Sequence, residues 1–468
     1  MIFAAALTLG LQLHPCTQGR AKAAATCGTY GVYEDRVAKS GRIIEIHVVV
    51  LKARRPSQHA IAFVAGGPGQ ASADFAGLVA DGALARETRS LDDTYDIVLM
   101  DDRGMGKSHL LQCDFAPQSD PAVYFKQLIA DSIVQACRTK LAAEADLALY
   151  NTINAVDDLD DIRAALGYPK LVLDGGSYGT FFSLVYMRRH PERVESAVLD
   201  GVDPPGFQPL PGEPIGAQTA LDDLVVKCNR DAACRTHFPR FAQQFKGFIA
   251  RLNRGPVEAT VEISGTSRKV RMSKEFFVDR FRELLYDPEG ASVVPYLIDR
   301  AANGDVAPVA SVLNDVAVTL DQSLAMGAWL SYTCEEVIPF LNDADVANAA
   351  ARSFAGDLRI RAQRHACDEW NVAAMPAEFN EPVRSDAPVL MISGSDDPAT
   401  PPRYAAKAAA FLPNAKIVLV KGAGHATETP CVDALIVRFV RAQSARGLDV
   451  SKCSAAFTLP KFATALPQ

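Results

Sequence analysis

The segment Gly175-Gly176-Ser177-Tyr178-Gly179 has at its centre the serine that is best suited to covalent chemistry in this chain. The segment fits the pattern G-x-S-x-G, follows a short apolar stretch and precedes a stretch with helical spacing. Glycines on both sides let a strand reverse into a helix while the serine takes a strained conformation that exposes its hydroxyl oxygen. The pattern therefore predicts that Ser177 is the nucleophile of an acyl-transfer reaction.

A serine hydroxyl needs a base, and with this kind of turn the acid and the histidine follow the nucleophile in chain order. Asp397 lies in the turn after a later apolar strand, and His425 lies in the turn after the next strand. Asp396 is a rival acid, but Pro398 would fix the turn at Asp397. The other histidines lie in the leader, in early strands, before the nucleophile, at a helix end or in an insertion: His14, His47, His59, His109, His190, His237 and His365. We predict a triad of Ser177, Asp397 and His425.

Acyl transfer also needs backbone N–H groups that stabilise the oxyanion. One is expected from Tyr178, the residue after the nucleophile. The second is expected from the glycine turn Gly66-Gly67-Pro68-Gly69. Gly67 is the best candidate in this turn because Pro68 has no N–H.

Apolar strands that end in glycine-rich or polar turns must position these residues. The predicted strands cover residues 43–51, 59–64, 95–100, 171–173, 195–199, 388–393 and 416–420. Helical spacing at 155–166 and 181–189 falls between or beside them. This alternation predicts a parallel sheet with helices on both faces.

The alternation of predicted strands and helices stops near residue 204 and resumes at 387, which predicts an insertion between these positions. The insertion shows helical spacing at 220–226, 241–252, 274–286 and 344–366, with one hairpin around 257–272. The predicted units are the first part of the core at 26–203, a mainly helical cap at 204–386 and the second part of the core at 387–468.

Residues 1–25 are predicted to be a signal peptide. The apolar run over 2–13 is shorter than the roughly 20 residues that cross a membrane, and Ala23-Ala24-Ala25 offers a cleavage site. The basic n-region is missing, since the first Lys or Arg is Arg20. No later stretch reaches membrane-spanning length, so we expect no integral membrane segment and a secreted or periplasmic location.

The chain contains 10 cysteines, none of them in a C-x-x-C pair. We expect no metal site and no cofactor, and instead structural disulfides formed in an oxidising compartment. Neighbouring cysteines suggest four pairs and leave Cys16 and Cys27, although the sequence does not fix the connectivity. The four pairs are Cys113 with Cys137, Cys228 with Cys234, Cys334 with Cys367, and Cys431 with Cys453.

The composition argues against nucleic acid as a partner. The formal net charge is -7, and 22% of the residues are charged, with no segment that concentrates Lys and Arg. Binding of phosphates needs such a basic patch.

Five motifs together resemble the α/β-hydrolase peptidases of the prolyl aminopeptidase and tripeptidyl aminopeptidase group. They are Gly66-Gly67-Pro68-Gly69, Asp101-x-Arg103-Gly104-x-Gly106-x-Ser108, the Ser177 segment, Asp397-Pro398-x-Thr400-Pro401 and Gly424-His425. The start at Cys27-Gly28 and the pair Cys431 and Cys453 look like the exported, larger members of this group. Ala65 and Asp102 depart from the pattern, since the small prolyl enzymes have His and the group usually has Gln at these positions.

The resemblance implies an α/β-hydrolase fold with an inserted helical cap, and a serine exopeptidase that releases short N-terminal pieces from peptides. It also implies cap carboxylates that bind the free α-amino group of the substrate, for which we predict Glu336, with Glu335 as the rival. Two alternatives stay open: a carboxylester hydrolase on the same scaffold, and a non-catalytic binding protein. The intact triad argues against the second alternative. The preferred N-terminal residue and the oligomeric state are left open.

Overall fold

Strands of two kinds form the sheets of the computed structural model, which describes residues 9–117, 119–207, 209–455, 457–458 and 460–466. Most are short and apolar, and a few near the N-terminus are long. Their bounds are β1 Gly10–Gln18, β2 Ala23–Asp35, β3 Ser40–Leu51, β4 His59–Val64, β5 Tyr95–Met100, β6 Leu171–Gly176, β7 Val194–Asp200, β8 Val257–Ile263, β9 Thr266–Met272, β10 Val389–Gly394 and β11 Ala415–Val420.

The main sheet of the described residues has the strand order β1-β2-β3-β5-β4-β6-β7-β10-β11. Strands β5, β4, β6, β7, β10 and β11 run parallel, whereas β1, β2 and β3 pair antiparallel at one edge. Every residue of β5 and of β10 is buried, as expected for parallel strands that helices cover on both faces. The carboxyl ends of β4, β6, β10 and β11 carry the turns in which the predicted site residues lie.

The helices alternate with the strands in the two core segments and dominate the insertion. Their bounds are α1 Ala76–Asp81, α2 Thr88–Leu91, α3 Pro121–Lys126, α4 Asp131–Leu141, α5 Thr152–Leu166, α6 Tyr178–Arg189, α7 Pro209–Arg230, α8 Ala232–His237, α9 Phe241–Asn253, α10 Lys274–Leu284, α11 Pro288–Ala302, α12 Ala307–Ser323, α13 Met326–Glu336, α14 Asp343–Ala351, α15 Leu358–Trp370, α16 Arg403–Ala409 and α17 Pro430–Ala442. Strands, crossover helices and insertion together form the α/β-hydrolase fold, which confirms the predicted fold class.

The cap between β7 and β10 has an aromatic core of its own, built mainly on α9 and α10. Its buried rings include Phe241, Phe245, Phe248, Phe276, Phe277 and Phe281. Helix α13 packs differently, because Trp329 and Leu330 belong to the hydrophobic cluster of the main sheet. The cap is therefore anchored to the core through α13.

Two details of the cap bear on the predictions. The antiparallel hairpin of β8 and β9 covers residues 257–272, as predicted. The prediction of one continuous helix over 344–366 is wrong, since α14 ends at Ala351 and α15 begins at Leu358. Gly356, with a φ of 62°, takes the left-handed conformation between them.

The predicted signal peptide at residues 1–25 stays a prediction. In the structure, β1 pairs with β2 along its whole length and Ala25 is buried. A disulfide joins Cys16 to Cys27, so cleavage after Ala25 would cut β2 and remove half of this bond. Small and apolar residues suit a signal peptide and a strand alike, so the composition of this segment fits both. The first eight residues lie outside the described part of the chain.

All four disulfides suggested by the sequence are formed, and Cys16–Cys27 is the fifth. Their Cα–Cα distances lie between 5.1 and 5.9 Å, within the usual range. Disulfides in this number are typical of proteins that fold outside the reducing cytosol. Among the described helices, none has the length and apolar character needed to cross a bilayer.

Candidate active site

Ser177 stands at the sharp turn between β6 and α6. Its φ of 55° and ψ of -122° are strained for a residue with a side chain. The flanking glycines make the turn possible, since a Cβ at Gly175 would lie 2.3 Å from the Gly179 carbonyl oxygen, and one at Gly179 would lie 2.2 Å from the Val64 carbonyl oxygen. The Ser177 N–H donates to the Asp200 carbonyl oxygen at 2.8 Å, which ties the turn to β7.

His425 and Asp397 are in direct contact. Asp397 Oδ2 lies 2.9 Å from His425 Nδ1 and also accepts from the Thr400 hydroxyl at 2.6 Å, while Oδ1 accepts from the N–H groups of Ala399 and Thr400 at 2.8 and 2.9 Å. Burial alone would raise the pKa of Asp397, but the charge of His425 and these hydrogen bonds outweigh it and lower the pKa. Asp397 is thus a charged acceptor that orients the imidazole.

Asp396 has other partners. Its carboxylate pairs with Lys227 of α7 and accepts from the Ser395 hydroxyl at 2.7 Å. The geometry therefore places Asp397, and not Asp396, against His425.

Tyr286 of the cap contacts the loop that carries His425. The His425 N–H donates to the Tyr286 carbonyl oxygen at 2.6 Å, and the two rings lie 5.0 Å apart. A Cβ at Gly424 would come within 2.2 Å of the same carbonyl oxygen, so this approach requires glycine. Tyr286 lies just beyond α10, and no motif in the sequence marks it as a neighbour of His425.

Ser177 and His425 line one cavity of ≈ 500 Å³ between core and cap, which Gly67 also lines. Gly67 has a φ of 113°, and a Cβ there would lie 2.6 Å from the Gly69 nitrogen, so only glycine fits. Tyr178 begins α6, so its N–H is one of those that have no partner within the helix. In the described residues, no group of three or more His, Cys, Asp or Glu side chains is placed to hold a metal ion.

Glu335 and Glu336 do not line this cavity. Both are 3% exposed and lie at the end of α13, against the start of α5. The two Glu336 oxygens accept from the N–H and the hydroxyl of Thr152, and Glu335 Oε2 accepts from the Asn151 side chain at 3.1 Å. The structure therefore places both side chains against the start of core helix α5 and outside the lining of the cavity.

Two family models match the chain. One, described as the alpha/beta hydrolase fold, matches residues 60–221, and the other, described as TAP-like protein, matches residues 352–451. The chain thus has the α/β-hydrolase fold and resembles TAP-like proteins in its C-terminal region. This confirms the resemblance inferred from the motifs.

This α/β-hydrolase is similar to two named peptidases over part of their length. Serine protease Hip1 of Mycobacterium tuberculosis is 28% identical over 226 residues, which cover 45% of this chain and 42% of Hip1. Tripeptidyl aminopeptidase of Streptomyces lividans is 30% identical over 194 residues, covering 38% of this chain and 35% of that protein. The matches thus span less than half the length of these relatives. Among solved structures, proline iminopeptidase of Mycobacterium smegmatis has a TM-score of 0.38 and 16% identity, covering 89% of this chain and 98% of that chain.

The core side of the cavity is rich in carboxyl groups that the sequence analysis missed. Five of them line it: Glu87, Asp174, Asp200, Glu428 and Asp433. Glu87 and Asp174 lie close enough to influence each other's ionisation. Burial raises the pKa of both groups, and in Glu87 the charge of Asp174 adds to this rise. The only sequence signal was an Asp three residues before the nucleophile.

On the cap side of the cavity, the positive side chains are paired with carboxylates. Its cations in the described lining are Arg282 and Arg359, and both face Glu213, at 3.7 and 3.3 Å. Arg359 also lies 2.8 Å from Asp279. Both arginines are therefore paired with cap carboxylates and do not present an unpaired positive charge to the cavity.

Proposed function

We propose that this protein is a serine exopeptidase that releases short N-terminal pieces from peptides through an acyl-enzyme. The observation that carries the proposal is the strained Ser177 on its glycine turn, in the same cavity as a histidine held by a buried aspartate. Ser177, His425 and Asp397 are the proposed nucleophile, general base and orienting acid.

In the first half of the reaction, His425 Nε2 takes the proton of the Ser177 hydroxyl as the oxygen bonds to the scissile carbonyl carbon. The carbonyl oxygen becomes an oxyanion, which the N–H groups of Tyr178 and Gly67 stabilise. His425 then gives the proton to the leaving amine as the C–N bond breaks. In the second half, water repeats these steps on the ester of Ser177 and releases the N-terminal piece.

The carboxyl groups of the cavity support a substrate with a free amine. A protonated α-amino group that enters an enclosed cavity needs a carboxylate partner, because an unpaired buried charge is costly. The pair of Glu87 and Asp174 supplies carboxyl groups on the core side, and no unpaired cation of the described lining competes for them. We assign amine binding to this pair in place of Glu336.

The names of the relatives agree with a peptidase, since one is a serine protease and the other a tripeptidyl aminopeptidase. The disulfides further support a site of action outside the cytosol, and we propose that the protein is secreted or periplasmic. Fractionation of the native host tests the location.

Three matched substrates test the function: a tripeptide p-nitroanilide with a free amine, its N-acetyl counterpart, and a short-chain p-nitrophenyl ester. We expect the free-amine anilide to be cleaved with a kcat/KM at least about tenfold above that of the acetylated one, since the acetylated substrate forfeits one charge-assisted contact. Ser177→Ala should lower all rates by at least about 10³-fold. Cleavage of the ester alone would make the protein a carboxylester hydrolase, and a Ser177 that no fluorophosphonate labels would overturn the mechanism.

A further inference from the structure

Cap helix α13 ends on the N-terminus of core helix α5. Thr152 is the first residue of α5, and the oxygens of Glu336 accept from its N–H and, at 2.7 Å, from its hydroxyl. The N-terminus of a helix offers free N–H groups and the positive end of the helix dipole, which favour an acidic partner. The contact between Glu336 and Thr152 therefore joins cap helix α13 to core helix α5 through complementary groups.

A further hydrogen bond links Thr152 to Tyr178, the residue after Ser177. The hydroxyl groups of Thr152 and Tyr178 are hydrogen-bonded at 2.8 Å. Tyr332, also on α13, contacts the Tyr178 ring edge-on, with centroids 5.9 Å apart. The Tyr178 side chain is thus held by one residue of α5 and by another of the cap helix.

We propose that Glu336 is a positioning residue that acts through Thr152 and the Tyr178 side chain to hold the Tyr178 N–H in line with the oxyanion. This inference rests on the proposed acyl-transfer function. Donors at an oxyanion are effective only when held within about 0.5 Å of the productive geometry. Because the Tyr178 N–H is linked to cap helix α13, turnover depends on how α13 packs against the core.

Thr152→Val is the sharpest test, because it removes the hydroxyl between Glu336 and Tyr178 while keeping the side-chain shape and the Thr152 N–H. We expect kcat to fall about tenfold, which corresponds to about 1.4 kcal/mol. KM should stay within about twofold, since an interaction made only in the transition state is lost. The loss should be the same for the amide and the ester, because both form the oxyanion. Thr152→Ser should restore the rate.

Tyr178→Phe removes the other end of the link and serves as a second variant if Thr152→Val folds poorly. The double variant should lose no more than either single variant, since both break one chain of contacts. Glu336→Gln keeps an accepting oxygen and adds a donor, so it should retain more activity than Glu336→Leu.

Ser331→Ala is the matched control, because Ser331 is buried on the same helix and accepts from Trp370 Nε1 at 3.0 Å without touching Tyr178. Equal losses of kcat in Ser331→Ala and Thr152→Val would overturn the inference, as would additive losses in the double variant or a change in KM alone. The rate of fluorophosphonate labelling of Ser177 needs no peptide. Normal labelling in Thr152→Val would overturn this inference only, whereas no labelling of the wild type would overturn the proposed function as well.

Discussion

Two pairs of buried carboxyl groups lie near the Ser177 turn, and they differ in what they face. Glu335 and Glu336 lie outside the cavity and accept hydrogen bonds from the start of α5. Glu87 and Asp174 line the cavity and lie close to each other. Burial raises the pKa of all four groups. Burial and a raised pKa therefore do not distinguish a structural acid from one that is proposed to bind substrate, whereas the hydrogen-bond donors around the acid do.

The largest effect is expected at Asp397, because this residue contacts His425, the proposed general base. Asp397→Asn should lower kcat by about 10³- to 10⁴-fold, since the amide neither fixes the imidazole tautomer nor stabilises its charged form. Steady-state kinetics on the ester and the anilide measure the effect. Asp396→Asn is the control, because Asp396 pairs with Lys227, and a loss of the same size there would mean that the acid is wrongly assigned.

The decrease of kcat/KM at acidic pH tests whether Asp397 raises the pKa of His425. Burial would lower the pKa of His425, but the charge and hydrogen bond of Asp397 outweigh it and raise the pKa above 6.5. The base must be neutral, so kcat/KM should fall as the pH drops through this raised pKa, by about tenfold per unit below it. In Asp397→Asn the inflection should move to lower pH. An unmoved inflection would assign it to another group.

Asp174→Asn tests the cavity pair directly. It should lower kcat/KM for the free-amine anilide by about 10- to 30-fold, the scale of one charge-assisted contact, and leave the ester and the N-acetyl anilide nearly unchanged. Glu335→Gln replaces an ionisable group of the other pair and should not discriminate among these substrates. If Asp174→Asn weakens all three equally, the pair supports the turn and the amine binds elsewhere.

The sequence specified the Ser177 turn to the residue, because local chemistry decides it. Gly175 and Gly179 are needed for close backbone approaches within the motif itself, and strands such as β4 and β5 are short apolar runs with clear ends. The sequence equally shows a glutamate at position 336, but it does not show which hydrogen-bond donor Glu336 contacts. Which donor a carboxylate meets depends on how α13 is seated on α5, and no spacing along the chain encodes that.

Other features were beyond the sequence for the same reason. Tyr286 reaches His425 only through the folding of the cap over the core. Asp174 resembles an ordinary strand residue until Glu87, from a distant turn, is placed beside it. The residues that line a cavity from several segments are fixed by tertiary packing, whereas the nucleophile is fixed by its own neighbours.

The last prediction concerns stability and the pair outside the cavity. Burial raises the pKa of Glu336 to about 8, although hydrogen bonds from Thr152 lower it, against 4.5 for an ordinary glutamate. Between these values the folded protein holds a proton that the unfolded chain has released. The free energy of unfolding should therefore fall as the pH rises through this window, by up to about 1.4 kcal/mol per pH unit for one group.

Glu336→Gln keeps a hydrogen-bonding side chain but has no proton to lose, so its unfolding free energy should depend less steeply on pH than that of the wild type. Urea unfolding at pH 5, 6, 7 and 8, with kcat followed in parallel, measures both slopes. Glu144→Gln, at an exposed glutamate, is the control and should leave the slope unchanged. Equal slopes in Glu336→Gln and the wild type would mean that Glu336 is ionised in the fold. In that case the charge of this carboxylate at the start of α5, in addition to its hydrogen bonds, holds the cap helix against the core.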